Sequence, residues 1–176
     1  MKKIFLMVVA AMMATVNVSA QDEWRNEVSV AYGFGSNTYL ISTIYSGIFT
    51  GDQKNYWGPV SVEYFYRPIT NLGVGAIFAV DGCKWSDDDD AKSTFYTIMP
   101  SVKYNWLNKS HFSMYSKLGV GVTICSDSGI GDSKSSSSVN WQVSLVGMEF
   151  GSAFRGFLEL GTGEQGIFLA GLRYKF

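Results

Sequence analysis

Cysteine and histidine are almost missing from this chain: Cys83, Cys125 and His111 are all that its 176 residues contain. Two cysteines are too few for a disulfide scaffold and lack the spacing of a zinc site, so neither metal nor cofactor is expected. Basic residues are no commoner than acidic ones, 14 Lys and Arg against 15 Asp and Glu, and they form no stripe. That excludes a nucleic-acid partner. Past residue 20 no apolar run is long enough to cross a bilayer as a helix.

The one continuous apolar run opens the chain. MKKIFLMVVAAMMATVNVSA carries Lys2 and Lys3, an apolar stretch from Ile4 to about Met13, and the small-residue ending Val18-Ser19-Ala20. This is the pattern of a secretory signal peptide over residues 1–20, removed before Gln21. Residues 21–176 then form one exported domain, bound for the periplasm, the outer membrane or the exterior. Export permits a disulfide between Cys83 and Cys125 without requiring one.

What fills the rest is alternation. In YTIMPSVKYNW, Tyr96, Ile98, Pro100, Val102, Tyr104 and Trp106 share one face, and Thr97, Met99, Ser101, Lys103 and Asn105 the other. A period of two makes a strand, not a helix. Eight such segments follow one another, and the sixth changes phase between Leu145 and Val146, which marks a β-bulge. Short connections (residues 68–71, 107–110 and 151–153) are interleaved with long ones (36–54, 83–93 and 126–138), as in transmembrane barrels. One stretch departs from the pattern: Leu40, Ile41, Ile44, Tyr45, Ile48 and Phe49 recur at three and four, which suits a short helix over residues 38–49 or an extended apolar flank of the first hairpin.

Alternation leaves open which face turns inward, since a soluble barrel hides its apolar face and a membrane barrel displays it. Three features favour the second. The polar face is dominated by Ser29, Ala31, Gly33, Ser61, Gly73, Gly75, Gly119, Gly121, Gly161 and Gly171, small enough for a narrow interior. Its charges are of both signs, Glu63, Glu149 and Glu159 with Arg67, Lys103, Lys117, Arg155 and Arg173, as a buried set must be. Aromatics end the apolar runs: Tyr96 and Trp106, or Tyr56 and Tyr66, stand ten residues apart, and a strand tilted by about 40° covers about 25 Å of height over that length. Trp106, Phe112, Phe154, Tyr174 and Phe176 would form the periplasmic girdle, and Tyr56, Trp85, Tyr96 and Trp141 the outer one.

Chemistry is sparse. Gly161, Gly163 and Gly166 fit the G-x-G-x-x-G spacing, but a strand rather than a helix follows, so a hairpin turn is expected instead of a nucleotide site. Asp87 to Asp90 lack the alternate spacing of a calcium loop and, like Ser135 to Ser138, are read as solvated loop. His111 falls at a short turn with no nucleophile beside it, so no enzyme is expected.

The closing GLRYKF, with Leu172, Tyr174 and Phe176 in phase and Phe176 last, resembles the end of the small eight-stranded outer-membrane β-barrels, OmpX-like and opacity-protein-like. The likeness covers residues 24–176. It implies a closed, all-β, antiparallel up-and-down barrel in the outer membrane of a Gram-negative cell, seated in lipid as a monomer, with loops extracellular and termini periplasmic. It also implies that Leu172, Tyr174 and Phe176 are the assembly signal read by the barrel-assembly machinery. The expected role is structural or surface-interactive through the loops, with the lumen plugged. The alternatives are a narrow pore for ions or small solutes and a soluble exported ligand-binding barrel.

Overall fold

The computed structural model describes residues 24–40, 54–85, 92–128 and 135–176. The leader, most of the 38–49 segment and Asp87 to Asp90 lie outside the described residues. Eight strands run β1 (Asn26–Phe34), β2 (Lys54–Ile69), β3 (Leu72–Trp85), β4 (Lys92–Asn108), β5 (Phe112–Ser128), β6 (Ser135–Gly151), β7 (Phe154–Gly163) and β8 (Phe168–Lys175). Each pairs antiparallel with the next, and β8 returns to β1 from Glu27↔Lys175 to Phe34↔Phe168, so the sheet closes with no edge in the ring.

Alternation becomes an inside and an outside. Ser29, Glu63, Phe65, Ile77, Met99, Lys103, Tyr115, Lys117, Phe157 and Arg173 point inward and are buried, whereas Val62, Phe78, Ile98, Val102, Leu118, Val120, Leu158 and Leu172 point outward and are exposed. Small and large alternate inside as well. Phe65 sits opposite Gly75, Tyr115 opposite Gly147 and Phe157 opposite Gly171. A Cβ on Gly147 would lie 2.4 Å from the Tyr115 ring, so the glycines are the sockets in which the lumen aromatics lie.

The phase change in β6 is a bulge. Ser144 and Gly147 face inward, Leu145 and Val146 both outward, and the pairing with β7 shifts between Ser144 and Val146. Ser116 Oγ donates to the Leu145 carbonyl at 2.6 Å, satisfying a backbone group released from the ladder.

Several boundaries differ from those read in the sequence. Pro68 and Ile69 belong to β2, leaving Thr70-Asn71 as the turn; Leu107 and Asn108 belong to β4; and the β6–β7 turn is only Ser152-Ala153. Ser135 to Ser138 are strand, not loop, because β6 continues its ladder with β5 up to Ser126↔Ser135. Tyr56 is turned the other way: the β2–β3 register shifts between Trp57 and Val60, so Tyr56 faces the lumen beside Cys83 and Trp57 takes the outward position. The Trp85 side chain is outside what is described. Residues 37–40 form one helical turn, with the Leu40 N–H on the Ser36 carbonyl at 2.9 Å.

Strand lengths are uneven. β2 to β6 run 14 to 17 residues, while β1, β7 and β8 have nine, ten and eight. At the loop end the part of β2 before Val60 pairs only with β3, and the part of β6 before Gln142 pairs only with β5. Five strands therefore rise past the closed ring as a wall, and the terminal end is level.

Candidate functional site in the lumen

The inward face of every strand carries charge or hydroxyl, and the barrel packs these groups together. Glu63 and Arg67 come from β2, Lys103 from β4, Lys117 from β5, Glu149 from β6, Arg155 and Glu159 from β7, and Arg173 from β8; all are buried. Two further members, Glu27 on β1 and Lys175 on β8, are buried with them. The sequence-derived set lacked these two because each lies at a strand end. Their parity was the available signal: Glu27 is in phase with Ser29, and Lys175 with Arg173.

Arg173 is the hub. Its guanidinium is 2.7 Å from Glu63 and also bonds Glu149, and it lies 4.3 Å above the Phe157 ring. Lys103 bridges Glu27 at 2.6 Å and Glu149 at 2.5 Å; Lys117 bridges Glu63 at 2.5 Å and Glu159 at 2.8 Å. Arg67 holds Glu27 at 2.6 Å, and Lys175 bonds Glu149. Arg155 reaches Glu149 only at 3.6 Å and spends its donors on Ser113 and on the carbonyls of Ser110 and Ser152. Ser29, Ser144 and the Tyr115 hydroxyl donate to the remaining carboxylate lone pairs. Arg67 is held by Glu27, and the other ions each meet more than one partner, as charges removed from water require. The central side chains, Glu63, Lys103, Glu149 and Arg173, are 0% exposed, so no water-wide passage runs along them.

The last turn adds a second layer. Glu164 and Gln165 bend into the barrel, and both are buried. Gln165 Nε2 donates to Ser61 and Glu63, each at 2.9 Å, and its backbone N–H to Gln142 at 2.7 Å. Gly163 and Gly166 make the bend possible with φ of 136° and 106°, and a Cβ on Gly166 would lie 2.5 Å from the Phe34 carbonyl oxygen. The glycine run is therefore the neck of an inward-folded plug, with no helix to present to a phosphate. Burial pushes the Glu164 carboxyl above its ordinary range, against hydrogen bonds that pull it down.

Outside, the polarity is reversed. The flank is apolar, and aromatics stand at both of its rims: Trp57, Tyr96 and Trp141 towards the loop end, Tyr66, Trp106, Phe154 and Phe176 towards the terminal end, with Phe112 against Phe150 and Tyr174 stacked on Phe176. Greasy outside, salted inside, closed: only a hydrocarbon surround suits such a wall. The fold is that of a small outer-membrane β-barrel.

Solved barrels of this kind are similar in shape and distant in sequence. The crystal structure of Ail, the attachment invasion locus protein of Yersinia pestis, matches with a TM-score of 0.47 and 16% identity over 86% of this chain and 97% of that one. The N-terminal β-barrel domain of Pseudomonas aeruginosa OprF gives 0.47 and 11% over 86% and 98%, and Ail in a phospholipid nanodisc 0.48 and 17% over 86% and 99%. No protein-family model and no curated protein matches the chain.

The residues weighed for other chemistry do not come together. His111 stands in the β4–β5 turn, its ring bonded to Ser110 Oγ at 3.1 Å and its carbonyl accepting from the Gly151 N–H at 3.0 Å. Among the described residues no three His, Cys, Asp or Glu side chains gather as a metal site. Cys83 and Cys125 lie on β3 and β5, with β4 between them.

Proposed function

We propose that this outer-membrane barrel is a surface-interaction protein whose lumen is plugged and whose working part is the wall at its loop end. The observation that carries this reading is the length of β2 to β6, which lift a sheet beyond the ring where a barrel serving only as an anchor needs none. In this reading residues 1–20 are the leader, the level end with both termini faces the periplasm, and the wall faces the medium. Leu172, Tyr174 and Phe176 are the signal that the assembly machinery reads, and the barrel works as a monomer without catalysis. Packed ion pairs favour a plug over a pore, because a conducting lumen needs hydrated walls.

The test compares cells displaying the full chain with cells displaying one in which residues 126–138, including the last rungs of the β5–β6 ladder, are replaced by a tight turn. Equal amounts of heat-modifiable barrel are expected in both outer membranes, with weaker binding of the trimmed cells to immobilised matrix and serum proteins. Equal binding by both would remove the wall from the function.

A further inference from the structure

The start of the first long loop is tied to the mouth of the barrel through two carboxylates. Ser36 Oγ donates to Asp81 at 3.1 Å and shares a 2.6 Å hydrogen bond with the Tyr56 hydroxyl, which itself bonds Asp81. Two residues on, Thr38 Oγ1 donates to Glu164 at 2.6 Å, and the Asn140 amide donates to the other Glu164 oxygen at 2.7 Å. Asn140 Oδ1 also accepts from Asn37 at 3.3 Å, and the Tyr39 ring packs on Tyr56 with centroids 4.7 Å apart. Asp81 and Glu164 are 2% and 1% exposed, and neither has an ion pair among the described residues. The lower plug is the converse: Glu27, Glu63, Glu149 and Glu159 all hold cations there.

Two dry carboxylates without cations repel when both are ionised. We propose that Glu164 and Asp81 form a proton-operated clasp that fastens residues 36–40 to the barrel mouth, tight in acid and loosened as the pH rises. Among the described residues, the groups facing Glu164 are Thr38 from the helical turn, Asn140 from β6, and Asp81 and Tyr56 across the mouth, while Gln165 beside it points down to Glu63; none of these is basic. Inside the closed clasp burial holds the Glu164 proton to a higher pH than water does. Closing therefore takes up a proton, is favoured as pH falls through the raised value, and loses that advantage as pH climbs past it.

The backbone N–H groups of Tyr39 and Leu40, bonded to Ser36 Oγ at 3.2 Å and to the Ser36 carbonyl, report on the clasp directly. Their hydrogen-exchange protection factors, which already correct for intrinsic pH dependence, are measured by NMR on the whole folded chain in micelles with EDTA present. Protection is expected to fall about tenfold from about pH 5 to about pH 8, the direction in which closing takes up a proton. Glu164→Gln should abolish the fall, and Asp81→Asn, which keeps the Thr38 and Asn140 contacts, should reduce it; unchanged mobility on unboiled gels certifies each barrel as folded. A flat profile in the unmodified chain overturns the proposal, as does an undiminished fall in both variants. Full protection restored at the higher pH by Ca²⁺ alone would hand the role to a cation.

Discussion

Arg173 gathers carboxylates that would otherwise repel one another, and its position decides how the plug responds to mutation. With Glu63 on one side, Glu149 on the other and the Phe157 ring beneath, it is held by both charge and packing. Arg173→Met fills similar space but leaves the two glutamates short of a cation. Lys103, Lys117 and Lys175 remain to share the load, so the expected loss is about 3 kcal/mol, the lower end for a broken buried pair. The denaturant midpoint of the heat-modifiable form measures it. Combining Arg173→Met with Glu63→Gln should cost less than the two separate losses added, since the second change removes a charge that the first stranded. Additive losses would mean that the pair does not interact.

Along each strand the sequence held nearly the whole answer, because a period of two in a closed sheet leaves a side chain only one of two places to go. Lys103, Lys117 and Glu159 could be placed inside by parity alone. What parity cannot see is a change of phase, and two of the register shifts here differ in how far the sequence betrays them. At Leu145-Val146 two adjacent apolar residues betray the bulge. At Gly58-Pro59 nothing does, because Tyr56 and Trp57 are both aromatic and either could face out; the register shift settles it, and a girdle residue becomes a lumen residue. The inward fold of Glu164 and Gln165 was equally hidden, since a polar turn reads the same whichever way it bends. Pairing of aromatics with glycines was hidden for another reason: it depends on which residues of neighbouring strands meet. Gly147→Val puts branched carbons where the Tyr115 ring lies and should destabilise the barrel by about 1–3 kcal/mol, measured again by denaturant titration. An unaffected midpoint would show that the ring has room to move.

Taken as a whole, the molecule is two closures stacked on one axis: an ion-paired plug through the middle and the Glu164–Gln165 turn above it. With the interior filled in this way, the proposed function rests on the wall that rises at the loop end. The level end carries a different implication. Asn26 and Phe176 exchange both backbone hydrogen bonds at 2.8 Å, so the chain begins and finishes at neighbouring points of one rim. A short linker from Phe176 to Trp24, with a new opening between Ser152 and Ala153, would preserve every strand pairing while moving the last residue of the polypeptide to Ser152. Such a circular permutant should refold in micelles with the same gel shift as the parent. If Phe176 acts as the signal proposed above, the permutant should fail to reach the outer membrane in cells, as Phe176→Asp should, because Phe176 would sit in mid-chain. Normal delivery of the permutant would show that the cell reads the shape of the seam and not the end of the chain. On the proposed reading, seam and address meet at Phe176, and the permutant separates them by keeping the seam while moving Phe176 into the middle of the chain.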